Sequence, residues 1–235
     1  MVTNEEIKNE SKQDYYLPMP TYCLKEKHYC VREYGALMLN SNGGSRILHT
    51  ERNRFLYKNK INFQEIANEL GINKTTLERN IKKLEKLDCK VLEVENTRNG
   101  IVYRLNYGLP SEYNELEVNK FITIHHEMLK EMINCFKPNV IKIYCLLRVI
   151  ANENDFKSAS NSFIAEGIGL SSKSKNNLDI VTSSVKLLEK LKYIEVKKDN
   201  LFKFDKEKGK EVPVLKKFYR ICNFSEWKKL DNKVD

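Results

Sequence analysis

The sequence predicts a mainly α chain with small β-hairpins, an α+β arrangement laid out as two helix-turn-helix units in tandem. Three observations predict it. A segment repeats internally, each copy carries apolar residues at helical spacing, and turn and strand signals follow each copy. Ile66-Ala67-Asn68-Glu69-Leu70-Gly71-Ile72 matches Ile164-Ala165-Glu166-Gly167-Ile168-Gly169-Leu170 at an offset of 98 residues. Leu84-Glu85-Lys86-Leu87 matches Leu188-Glu189-Lys190-Leu191 at an offset of 104, so the second copy carries six extra residues, placed near Ser171–Asn176.

Taken in order, residues 1–21 read as a flexible arm. Met1–Lys12 is polar, with no apolar stretch of signal-peptide type, and Tyr15–Pro20 is extended because residues before proline leave the helical region. Residues 22–107 form the first unit, with a helix over Arg32–Leu39; the spacing assigns no element to residues 41–60. Asn62 and Glu65 have capping-box spacing, Ile66, Ala67 and Leu70 form a stripe, and Gly71 stops the helix in a left-handed cap. The next helix starts near Asn73 or Lys74 with the stripe Leu77, Ile81, Leu84. A hairpin follows, Val91–Glu95 and Ile101–Leu105, turning over Asn96–Gly100.

Residues 108–119 are a polar linker opened by Gly108 and Pro110, and residues 120–224 form the second unit. Its elements are a helix over Glu127–Phe136, a buried helix from Pro138, the repeated pair with the stripe Val181, Val185, Leu188, and strands at Tyr193–Val196, Leu201–Phe204 and Phe218–Cys222. Residues 225–235 are a charged tail.

Composition bounds the function. The 235 residues carry 41 Lys+Arg against 32 Asp+Glu, a net charge of +9, which favours a polyanionic partner. Only nine of the 41 are Arg, and Lys, Asn and Ile are abundant, so part of that charge reflects an AT-rich coding bias. Six cysteines stand without a CxxC pair, and no stretch approaches a membrane span; a cytoplasmic protein with reduced thiols is expected. Cys23, His28 and Cys30, even with His125-His126, lack zinc spacing, and Asn42-Gly43-Gly44-Ser45 is no phosphate loop. No catalytic set, metal, cofactor, membrane or small-molecule substrate is expected.

The runs IANELGI-NKTTLERNIKKLEKL and IAEGIGL…VTSSVKLLEKLKYI, each followed by strand signals, resemble the winged-helix superfamily. The resemblance implies two winged helix-turn-helix domains in tandem and double-stranded DNA as partner. On a wheel with Leu77 at zero, the opposite face carries Thr75, Arg79, Lys82, Lys83 and Lys86. Asn73, Lys74, Thr75, Thr76 and Arg79 are the candidates for base contact, and Lys82, Lys83 and Lys86 for phosphates. Opposite Val181 lie Asp179, Ser183, Lys186, Leu187 and Lys190, a less basic face whose Leu187 can pack on the neighbouring unit or in a homodimer. Ser183 and Lys186 are DNA-contact candidates there. Lys173, Lys175 and Asn177, in and beside the insert with its free backbone N–H groups, suit a phosphate clamp. Arg98 is the minor-groove candidate of the first wing, and Lys206, Lys208 and Lys210 form the tip of the second.

The tandem arrangement, the size and the AT-rich composition are similar to those of plasmid- or phage-type replication initiators. That resemblance implies binding of origin repeats and recruitment of host replication proteins without catalysis. A transcriptional regulator and a winged-helix assembly protein of chromosome or plasmid maintenance stay open as alternatives.

Overall fold

The computed structural model describes residues 15–28, 31–43, 53–108, 121–205 and 209–229. Strand β1 (Tyr16–Pro20) buries Leu17 and Met19. Helix α1 (Arg32–Leu39) follows, with Tyr34, Leu37 and Met38 wholly buried. Strands β2 (Asn42–Gly43) and β3 (Asn53–Tyr57) and a turn of 3-10 helix (Lys58–Lys60) lead to helix α2 (Phe63–Glu69) and helix α3 (Lys74–Glu85). Strands β4 (Leu92–Thr97) and β5 (Gly100–Asn106) close this half in a four-stranded antiparallel sheet of order β2-β3-β5-β4.

The second half opens with β6 (Phe121–His125), α4 (His126–Cys135) and α5 (Pro138–Ile150). Pro138 sits in the first turn of α5, where its missing N–H costs nothing, and Val140, Ile141, Ile143, Tyr144, Cys145 and Leu147 are buried. Strand β7 (Lys157–Ser158) precedes α6 (Asn161–Gly167) and α7 (Lys175–Lys190). Strands β8 (Ile194–Asp205) and β9 (Lys210–Ile221) form one long ribbon, joined at its base by β7 in the order β7-β9-β8. Helix α8 (Phe224–Lys228) ends the described chain, held by a full capping box between Asn223 and Glu226.

The halves share one core. β1 pairs antiparallel with β6, from Tyr16 opposite His125 to Pro20 opposite Phe121. Pro18 is tolerated because the two-stranded sheet leaves β1 a free edge. Arg32 of α1 donates to the Leu70 carbonyl at the end of α2 (2.6 Å) and to the Ile133 carbonyl of α4 (3.1 Å). Lys142, buried on α5, donates to the Glu26 carbonyl. One hydrophobic cluster runs from Leu17 to Trp227.

Several expectations are corrected. The chain is α+β with three small antiparallel sheets, not a mainly α chain with small hairpin wings, and two winged helix-turn-helix domains in tandem are not what it presents. Sheet content comes from places where periodicity fails. β1 carries two prolines, β3 reads NRFLY without alternation, and the middle of β8, Lys197–Asn200, is polar on both faces and reads as a turn. In the ribbon those residues pair with Leu215–Phe218, so the three short strands expected there are two strands of 12 residues. The arm is held over residues 16–20, and the charged tail folds over 224–228, with Trp227 buried. Most of the expected linker lies outside the described residues. No helix among the described residues is long and apolar enough to cross a membrane.

Candidate nucleic-acid interface

The α2–α3 pair is set by two asparagine caps and a glycine. Asn62 Oδ1 accepts from the Glu65 N–H at 3.2 Å and starts α2. Ile66, Ala67 and Leu70 bury its inner face, and Gly71, at φ +61, turns the chain where a Cβ would be strained. Asn73 Oδ1 then accepts from the Thr76 N–H at 2.7 Å and starts α3. The stripe Leu77, Ile81, Leu84 is buried, so the opposite face must be outward.

On that face Lys74, Thr75, Arg79, Lys82, Lys83 and Lys86 are all exposed, and Thr76 is half-buried. Asn73, expected to contact bases, instead commits its side-chain oxygen to the cap of α3. The face also has an acidic flank that the wheel left out. Glu78 and Glu85 line a cavity of about 270 Å³ with Phe63, Ile81, Lys82 and Tyr103, between α3 and the sheet. Burial, then Glu85 and Glu78, push the Tyr103 phenol above its ordinary value. The cationic stripe is thus bounded by carboxylates on its sheet side.

The β4–β5 turn is tighter than expected, with Thr97 opposite Gly100 and only Arg98 and Asn99 between. Thr97 Oγ1 donates to the Gly100 carbonyl (2.8 Å) and accepts from the Asn99 N–H (3.3 Å), which leaves Arg98 exposed at the tip.

In the second half the insert is a folded turn. The Lys173 N–H donates to Ser171 Oγ, the Ser174 N–H to the Ser171 carbonyl, and Asn177 Nδ2 to the same carbonyl at 3.0 Å. Ser172 Oγ is hydrogen-bonded to Glu166. The free N–H groups expected of a clamp are therefore taken at Lys173 and Ser174, and Asn177 is structural. Lys173 and Lys175 are exposed. On α7, Ser183 and Lys186 are exposed, and the described residues leave Leu187 37% exposed, not packed away against the first half. Lys210 is exposed at the start of β9; Lys206 and Lys208 lie outside the described residues.

The sequence reading missed a set that the ribbon assembles. Lys198 and Lys217 are opposite each other in the β8–β9 register, on the same ribbon face as Val196 and the buried Tyr219. Lys217 Nζ lies 3.3 Å from Asn161 Oδ1 at the start of α6, and Asn161 Nδ2 donates to Thr182 Oγ1 of α7 at 2.8 Å. Burial, then Lys198 and Lys186, push the Lys217 ammonium below its ordinary value. Alternation along a long strand is the available signal, broken by the polar run 197–200 between the two short strands expected there.

Among the described residues no group of three or more His, Cys, Asp or Glu side chains is placed to hold a metal ion. Cys135, Cys145 and Cys222 are free cysteines, and Cys30 lies outside the described residues. No protein-family model matches the chain, and no curated protein matches it.

Proposed function

We propose that this chain is a binding protein for double-stranded DNA, not an enzyme, with α3 as its major-groove element. The observation that carries the reading is the outward face of α3. Thr75 and Arg79 stand in its first turns, Lys82, Lys83 and Lys86 follow, and all five are exposed while Leu77, Ile81 and Leu84 anchor the other side. A helix so anchored offers a rigid row of side chains of the types that meet base edges and phosphates. Arg98, at the tip of a two-residue turn, adds a second cationic projection. The net charge of +9 supports the same partner.

The replication-initiator reading drew on size and on a tandem winged-helix architecture that the fold does not present, so the proposal is made at the level of duplex binding. The test is a titration of labelled genomic duplex fragments at about 50 mM salt, where counterion release gives phosphate contacts their strength. Saturable binding is expected; no binding at that salt sinks the reading.

A further inference from the structure

The lysines between α7 and the ribbon are an electrostatic arrangement that the fold does not need. Lys198 and Lys217 face each other across β8 and β9, and Lys186 of α7 is close enough to depress the Lys217 ammonium together with Lys198. Glu189 acts on Lys217 in the opposite sense, and its influence is the smallest of those acting there. Like charges directly opposite in a sheet destabilise it. Two features keep this set in place. Asn161 Oδ1 holds Lys217 Nζ, and Asn161 is itself held by Thr182, whose hydroxyl donates to the Leu178 carbonyl. Lys217 also borders an open cavity of about 420 Å³, which Ser158, Ser160, Asn161 and Leu215 line with it.

Lys217 at the open cavity, Lys198 opposite it in the register and Lys186 on α7, with the Asn161 side-chain amide and serine hydroxyls beside Lys217, make up a receptor for a compact, multiply charged oxyanion. Farther out, the same ribbon face carries Leu215 and Phe202, 59% and 69% exposed, an apolar continuation that a free inorganic ion would leave in water. A polymer that carries phosphates alternating with apolar sugar and base surfaces would cover both parts. The geometry points to Lys186, Lys198 and Lys217 as a binding site for a phosphate group of the DNA backbone, with Asn161 as the residue that orients Lys217. This inference rests on the duplex-binding reading and adds to it a contact surface remote in sequence from α3.

The experiment compares wild type with Lys198→Gln/Lys217→Gln on a cognate and a scrambled duplex across a salt series. A control, Lys192→Gln/Lys197→Gln, removes the same charge from exposed positions outside the cluster. The cluster variant is expected to lower the slope of log K against log salt by about 0.9, one phosphate contact, equally on both duplexes, with the control slope unchanged. Its DNA-free melting temperature should equal or exceed that of wild type, because a mutual repulsion is removed, so weak binding cannot be put down to misfolding. A parallel arm follows the melting temperature with inorganic phosphate. If phosphate stabilises wild type but not the cluster variant while the DNA slope is unchanged, the site serves a free phosphate compound and the backbone assignment is overturned. Equal slope losses in cluster and control variants overturn it too, by reducing the effect to net charge. A wild-type chain that binds no duplex overturns the proposed function itself, and the backbone contact with it.

Discussion

Asn80, in the middle of α3, donates its side-chain amide to Glu33 Oε1 of α1 at 2.6 Å, and both side chains are buried. His28 Nε2 lies 3.7 Å from the same oxygen, while Glu33 Oε2 is buried without a hydrogen-bond partner. The contact fixes the rotation of α3 about its axis, and so fixes which face is left outward.

Asn80→Ala removes the donor and leaves the carboxylate more poorly satisfied, at an expected cost of about 1–3 kcal/mol. The paired change Asn80→Leu/Glu33→Met should recover most of that loss, because replacing both partners removes the buried polar demand. Urea denaturation of wild type and the two variants checks it. A single variant as stable as wild type would show that the contact holds nothing.

Gly71 and Gly169 occupy matching places in the repeat and both have positive φ, +61 and +80. A Cβ at Gly71 meets nothing within 4 Å, whereas one at Gly169 would lie 2.6 Å from the Lys25 carbonyl oxygen. Gly71→Ala should therefore cost about 1–2 kcal/mol of left-handed strain alone. Gly169→Ala should cost about 2 kcal/mol more, because a backbone segment must move. Equal losses in thermal melts would mean that the Lys25 segment does not pack on the second half.

Glu226 links α8 to the ribbon base through Arg220, whose Nη2 lies 3.0 Å from Glu226 and 2.7 Å from Glu195. Burial alone would raise the Glu226 carboxyl, but hydrogen bonds from Arg220 and from the Asn223 N–H outweigh it and hold the group below its ordinary value of 4.5. A carboxylate with a depressed value in the fold stabilises it above the unfolded value, and that contribution is lost as pH falls through the folded one. The stability gap between wild type and Arg220→Ala, about 1–3 kcal/mol near neutrality, should narrow as pH drops below about 4.5. Denaturation curves between about pH 6 and pH 3 measure it; a gap independent of pH would contradict the pairing.

Much of the helical framework was legible in the residues. Arg32–Leu39, the Asn62 cap, the Gly71 stop, the start of α3 near Asn73 and Pro138 at the start of α5 all follow from local chemistry that acts within one turn of chain. The sheets were less so. β1 is a strand only because β6 lies beside it, more than 100 residues away, and no local pattern could announce that pairing. The outward face of α3 was readable from the wheel, whereas Lys198 and Lys217 meet only once the register of a long, polar ribbon is set. Asn177 and Asn73 read as ligand contacts because sequence shows a polar side chain without showing that its hydrogen bonds are already spent.

If α3 is the element that reads duplex DNA, as proposed, Arg79 is the side chain whose loss reveals it. It is exposed on the outward face, one residue from the buried Asn80 that sets the orientation of the helix. The measurement is the affinity of wild type and Arg79→Ala for a duplex selected from random sequence and for its scrambled counterpart, at one salt concentration. A loss of about 1–3 kcal/mol is expected on the selected duplex and little change on the scrambled one, so that sequence preference collapses. An equal loss on both duplexes, or none on either, would contradict the proposal.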